Sequence, residues 1–119
     1  MNSILADNPL GLGPPISYFH SVWHGAAGEY PTEFFYELDK ERWAIRGVER
    51  FSDGSVKVLS FADPNWRDLM PEAAIPTIEE INKSPEFSAR EITRAEFEVI
   101  WTAASSQNSR GLPKKPQPQ

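Results

Sequence analysis

Apolar residues fall in short runs with a period near two through the first half of the chain and recur at helical spacing near its end. Ile16 to His24 (ISYFHSVWH), rich in aromatic and branched residues and bounded by Pro15 and Gly25, predicts a first strand. Phe34 to Leu38 predicts a second and Trp43 to Phe51 a third, joined as a hairpin through the polar DKER segment. In the third strand the period of two sets Trp43, Ile45, Gly47, Glu49 and Phe51 on one face, with Arg46, Val48 and Arg50 opposite. Gly47, in mid-strand, marks a place for a bulge that would change this phase. Asp53-Gly54 suits a tight turn into a fourth strand, Val56 to Phe61.

Residues 62 to 76 carry three prolines and no sustained period, which predicts a long ordered loop anchored by Trp66, Leu69, Met70 and Ile75. Two helix starts follow. Thr77 with Glu80 and Thr93 with Glu96 each have capping-box spacing, in which hydroxyl and carboxylate satisfy the first free backbone N–H groups. The first helix, with Ile78 and Ile81 on its apolar edge, stops at Pro85; in the second, Phe97, Ile100, Trp101 and Ala104 form an amphipathic stripe. Strands first and helices last predict an α+β domain: an antiparallel β-meander of about four strands with C-terminal helices packed on one face. Residues 1–15, with three prolines and two glycines, read as an N-terminal arm or loop, 16–104 as the single domain, and 105–119, whose one large apolar residue is Leu112, as a disordered tail.

Charge sharpens this picture. The chain of 119 residues has 12 Lys+Arg, 17 Asp+Glu and net charge −5. Arg110, Lys114 and Lys115 lie in the tail, which leaves 9 bases against 17 acids before it, net −8. That sign repels phosphate backbones and anionic lipid, disfavouring nucleic-acid and membrane-surface roles, and favours association with a basic protein. No apolar run approaches the roughly 20 residues that cross a bilayer, and the first residues lack a basic and apolar leader pattern, so the expected location is cytoplasmic. With no cysteine, a disulfide framework and a cysteine zinc site are excluded.

The phosphate-loop, dinucleotide, HExxH and GxSxG signatures are absent, and no catalytic residue, cofactor or metal is predicted. His20 and His24, four apart on a strand, sit about 13 Å apart along it, too far to share a metal ion. Their expected places are one packed and one exposed. Glu37, Arg46 and Glu49 lie in neighbouring strands, where an arginine between carboxylates makes either a cross-strand ion-pair ladder or a polar patch that grips a partner. Trp43 and Trp101 read as core, whereas Trp66, beside Arg67 and Asp68 in the proline-rich loop, has the composition of a contact anchor. Glu72 to Glu98 is an acidic run, a solvated face or a surface complementary to a basic partner.

The order of these pieces resembles a family of small, uncharacterised bacterial domains: Trp23 and His24; Tyr36 to Asp39; Arg46 to Glu49 with Asp53-Gly54; Ile75 to Asn82; and Glu96 to Trp101. The sequence departs from the pattern where Trp23 and His24 are adjacent and at Gly47. The resemblance implies a stoichiometric inhibitor, an immunity protein that binds a cognate bacterial toxin, rather than an enzyme. The expected mechanism is occlusion of the toxin's active site by Trp23, His24, Glu37, Arg46 and Glu49 or by the loop with Trp66 and Asp68. The domain itself would be a monomer or weak dimer. The alternative is a small-ligand-binding or regulatory domain with a pocket around Arg46 and His24.

Overall fold

A computed structural model describes residues 17–26 and 28–111. The predicted N-terminal arm, 1–15, lies outside these residues. The elements run β1 (Ser17–Trp23), β2 (Glu33–Leu38), β3 (Ala44–Arg50), β4 (Val56–Ser60), α1 (Trp66–Leu69), α2 (Ile78–Ile81), β5 (Phe87–Ile92) and α3 (Arg94–Gly111). All the strands join one antiparallel sheet in the order β4-β3-β2-β1-β5. The meander of the first four is as expected for an α+β domain. The fifth strand adds to the free side of β1, with Trp23 opposite Phe87 and Tyr18 opposite Ile92. Its pattern is weak because Ser88, Arg90 and Glu91 are exposed on an edge, so little of it registers as an apolar period.

The sheet is covered on both sides. Tyr18, Phe35, Val48 and Ile92 pack against Phe97 and Ala104 of α3, with Val56, Val58, Ile100 and Trp101 at the margin. On the opposite face Phe19, Tyr36, Leu38, Ala44, Leu59 and Met70 form a second buried cluster, which Trp66, Leu69, Ile75, Ile78 and Ile81 cover. Thus α3 packs on one face, and α1, α2 and the long loop between them on the other. The period of two generates both clusters in β1 and β2, which carry apolar residues in both phases, whereas β3 gives Val48 to the first cluster and, across an irregularity in its pairing with β2, Ala44 to the second.

Two local features set the register. Glu37 pairs with Arg46 but Leu38 with Ala44, so the β2–β3 bulge lies at Ile45 rather than at Gly47. Gly47 serves a different purpose: a Cβ there would strike the ring of Tyr36, its cross-strand partner, so only glycine lets that ring lie flat across the strand. Gly54 has φ +93 in the β3–β4 turn, as its place after Asp53 predicted.

Both capping boxes form. Thr77 Oγ1 accepts the Glu80 N–H at 3.1 Å, and Thr93 Oγ1 accepts the Glu96 N–H at 3.1 Å while Glu96 takes the Thr93 N–H at 2.8 Å. α3 continues to Gly111, past the point where a disordered tail was expected to begin. Ala104 is buried on the sheet and the Gln107 side chain donates to the Gly54 carbonyl at 3.3 Å, so the helix remains anchored beyond Ser105 and extends at small cost per residue.

Candidate protein-binding surface

On the α3 face the charges are consumed by one another. Arg46 donates through Nε and Nη2 to the two oxygens of Glu37 at 2.7 and 2.8 Å, and through Nη2 to Glu98 of α3 at 2.7 Å. Its guanidinium also lies over the rings of Phe97 and Trp101, 5.0 and 4.8 Å from their centroids. Glu37 is 3% exposed. These hydrogen bonds, with Glu37 first, push the Arg46 pKa up, and the bond from Arg46 holds the Glu98 carboxyl below the usual carboxylate range. Beside this network His20 stacks on Phe35, ring centroids 4.3 Å apart, and shares a 2.9 Å hydrogen bond with Glu33. Arg50 covers the Phe35 ring and reaches Glu33 at 3.4 Å. His24 is exposed and bonds the Ser88 hydroxyl. The two histidines are therefore one packed and one exposed, as expected.

The opposite face is only partly covered. Two grooves of about 610 and 600 Å³ lie side by side there and share Pro71. Phe19, Phe34, Tyr36 and Phe87 floor the first, and Pro71, Ile75, Pro76 and Ile81 wall it, with Ser21, Glu80 and Ser84 as its polar members. Trp43, Phe61, Trp66 and Met70 line the second, with Arg67 and Glu72 at its rim. Tyr36 donates its hydroxyl to Glu49 at 3.0 Å. Burial, and after it the charge and hydrogen bond of Glu49, push the Tyr36 phenol up, so it stays a neutral donor.

The wall is held by residues that the sequence did not single out. Arg42, at φ +68, has its backbone in the left-handed region and donates through Nε and Nη2 to the carbonyls of Ile75 and Pro76 at 2.9 and 2.8 Å. Its own carbonyl accepts the Ile75 N–H at 2.8 Å. Three bonds thus pin the long loop to the β2–β3 hairpin. Asp39, 2% exposed, shapes that hairpin by accepting the N–H groups of Glu41 and Trp43 on Oδ1, while its Oδ2 has no partner among the described residues. The Asx-turn spacing from Asp39 to Glu41 is visible in the sequence; the reach of Arg42 across more than thirty residues is not.

The seven predicted contact residues separate. Trp23 stacks on Phe87 at the end of the first groove, Glu49 holds Tyr36 in its floor, and Trp66 lines the second groove with Phe61 packed on it and Arg67 over its ring. Asp68 is exposed on α1, beside that groove. His24 lies just beyond β1, whereas Glu37 and Arg46 lie under α3 on the other face.

Among the described residues no helix is long and apolar enough to cross a membrane, and no three His, Asp or Glu side chains gather as a metal site would require. Comparison with curated proteins and with solved structures gives no match. A family model matches residues 17–106, the whole sheet and most of α3, and on that match the chain belongs to the DUF6881 family, a domain of unknown function.

Proposed function

We propose that this domain is a cytoplasmic immunity protein that neutralises a cognate bacterial toxin by covering its active site with the groove-bearing face. The observation that carries this reading is the pair of aromatic, proline-walled grooves on one side of a sheet whose other side, packed under α3, has smaller clefts of about 230 and 140 Å³. Such a face takes an apolar anchor from a partner, since interface hot spots are aromatic side chains seated in desolvated pockets. Glu72 and Glu80 at the grooves and the net charge of −5 complement a basic toxin surface and raise the association rate more than the affinity. Trp23, Glu49, Trp66 and Asp68 serve this surface, and Glu37 and Arg46 support the fold behind it.

The decisive experiment is tagged capture from the native bacterium with the wild-type chain and with a Trp66→Ala/Phe87→Ala variant. The expected result is one stoichiometric toxin-like partner on the wild type and at least about a hundredfold weaker retention on the double variant, since each of the two hot spots contributes about 2 kcal/mol. Equal capture by a folded variant would remove the grooves from the interface. Grooves of this volume also fall in the range of small-molecule sites, although neither includes Arg46 or His24. A metabolite that raises the melting temperature of a partnerless protein in a dose-dependent way would favour ligand binding instead.

A further inference from the structure

The two edges of the sheet are finished differently. On β5 the chain covers its own edge: the Asn82 side chain donates to the Ala89 carbonyl at 3.0 Å and accepts the Ala89 N–H at 2.6 Å, and the Phe87 N–H donates to the Ser84 carbonyl at 3.2 Å. No described residue covers β4 in that way. The Phe51 N–H donates to the Ser55 carbonyl at the mouth of the β3–β4 hairpin, and the alternation of an antiparallel ladder then turns the backbone groups of Lys57 and Leu59 inward to Glu49 and Gly47. Those of Val56, Val58 and Ser60 point outward. Among the described residues the one backbone bond on that outer row is from the Asp63 N–H to the Ser60 carbonyl. Val56 and Val58 therefore present two N–H and two C=O groups in line, beside half-buried valine side chains. An unpaired row of this kind is a template for another strand.

We propose that the occupant is β4 of a second copy of this chain, paired antiparallel about a two-fold axis through the two Val58 residues. The strand is self-complementary in that register. Val58 faces itself, Val56 faces Ser60 and Lys57 faces Leu59, so outward groups meet outward groups at each hydrogen-bonded pair and no charge meets its like. The symmetric register centred on the neighbouring Lys57 sets the two lysines directly opposite each other, and those centred on Val56 or Leu59 match less of the strand with itself. Charge points the same way. Ser55 to Ser60 carries a single charge, that of Lys57, and no carboxylate, so this strip is spared the acidic self-repulsion of a chain of net charge −5. The contact is isologous and closed, joining two five-stranded sheets into one continuous sheet with both copies of α3 on the same side. None of Val56, Val58 and Ser60, the outward residues of this edge, lines either groove of the toxin-binding reading, so either inference can fail without the other.

The chain has no cysteine, so an engineered one reports its own partner. In the full-length protein, Val58→Cys is expected to form an interchain disulfide under mild oxidation, because Cα atoms in a directly opposed hydrogen-bonded pair lie about 5.5 Å apart, within disulfide reach. Lys57→Cys, which faces Leu59, is expected to stay uncrosslinked. Sedimentation equilibrium of the wild type should show the mass rising from one chain toward two with concentration. Val58→Pro removes only an outward N–H and should weaken dimerisation at least tenfold with an unchanged circular-dichroism spectrum. A wild type that stays monomeric over the whole series, with Val58→Cys crosslinking no faster than Lys57→Cys, would overturn the proposal. So would a monomer whose capture of a toxin is lost on Val58→Pro, since the edge would then belong to the toxin.

Discussion

Arg46 on one face of the sheet and Arg67 on the other each lie over a tryptophan ring, 4.8 and 4.4 Å from its centroid, yet their surroundings differ. Arg46 has Glu37 and Glu98 on its donors and Phe97 as a second ring, with α3 closing over it. Arg67 is exposed at the rim of a groove. On the α3 face the Glu37–Arg46–Glu98 groups satisfy each other and most apolar residues meet across the layer, which leaves exposed Val99 and clefts of no more than about 230 Å³. On the loop face short helices and prolines cover the sheet incompletely, and aromatic rings that would be core under a long helix become the floor of grooves. Binding capacity here follows from which face received the poorer cover rather than from which residues are intrinsically reactive.

The largest test of this contrast is Arg46→Ala. It leaves the nearly inaccessible Glu37 carboxylate without its bidentate partner, and the expected loss is about 3–5 kcal/mol in urea unfolding. A matching truncation on the other face, Arg67→Ala, should change stability by no more than about 0.5 kcal/mol, as for surface positions in general. Equal effects would mean that the faces are not specialised as described. Gly47→Ala is intermediate. The added methyl must displace the Tyr36 ring, which floors the first groove and is anchored to Glu49, so about 1–3 kcal/mol is expected, together with a changed groove that a hydrophobic dye would report. The smallest effect is in acid. Because Glu98 titrates below its ordinary value of 4.5 in the folded protein, its contribution is complete above that pH and is lost as pH falls through the depressed value. Melting temperatures followed downward from neutral pH should show a shallower acid decline for Glu98→Gln than for the wild type.

Much of the local structure is written in short-range chemistry. The Asp53-Gly54 turn, the two Thr-x-x-Glu caps and the Phe97–Ala104 stripe each depend on neighbours within about two turns of chain, and all take the predicted form. The strand phases of Arg46, Val48 and Arg50 against Gly47 and Glu49 were equally legible, because a period of two survives wherever the bulge lies outside the run. β5 was not legible, since an edge strand needs only one apolar face and shows it weakly. Nor was the helical course of 105–111, which polar residues disguise and contacts of Ala104 and Gln107 sustain.

The candidate site divides in the same way. Trp66 as an anchor and Glu37–Arg46 as a pair could be read from residue type and strand neighbourhood alone. That the pair is sealed by Glu98 and Trp101, and that Trp23, Tyr36 and Glu49 belong with the proline loop, depends on which side of the sheet each late segment packs against. By itself the sequence determined the strand-rich meander, its turns and caps and its acidic character, because these are set by covalent neighbours and summed charge. The choice of face for α3 and for the 61–82 segment, the tether from Arg42 to Ile75, and the bare edge of β4 were decided only by the tertiary structure. Apolar residues point to both sides of this sheet, so no local pattern distinguishes the side that a long helix will close from the side left open.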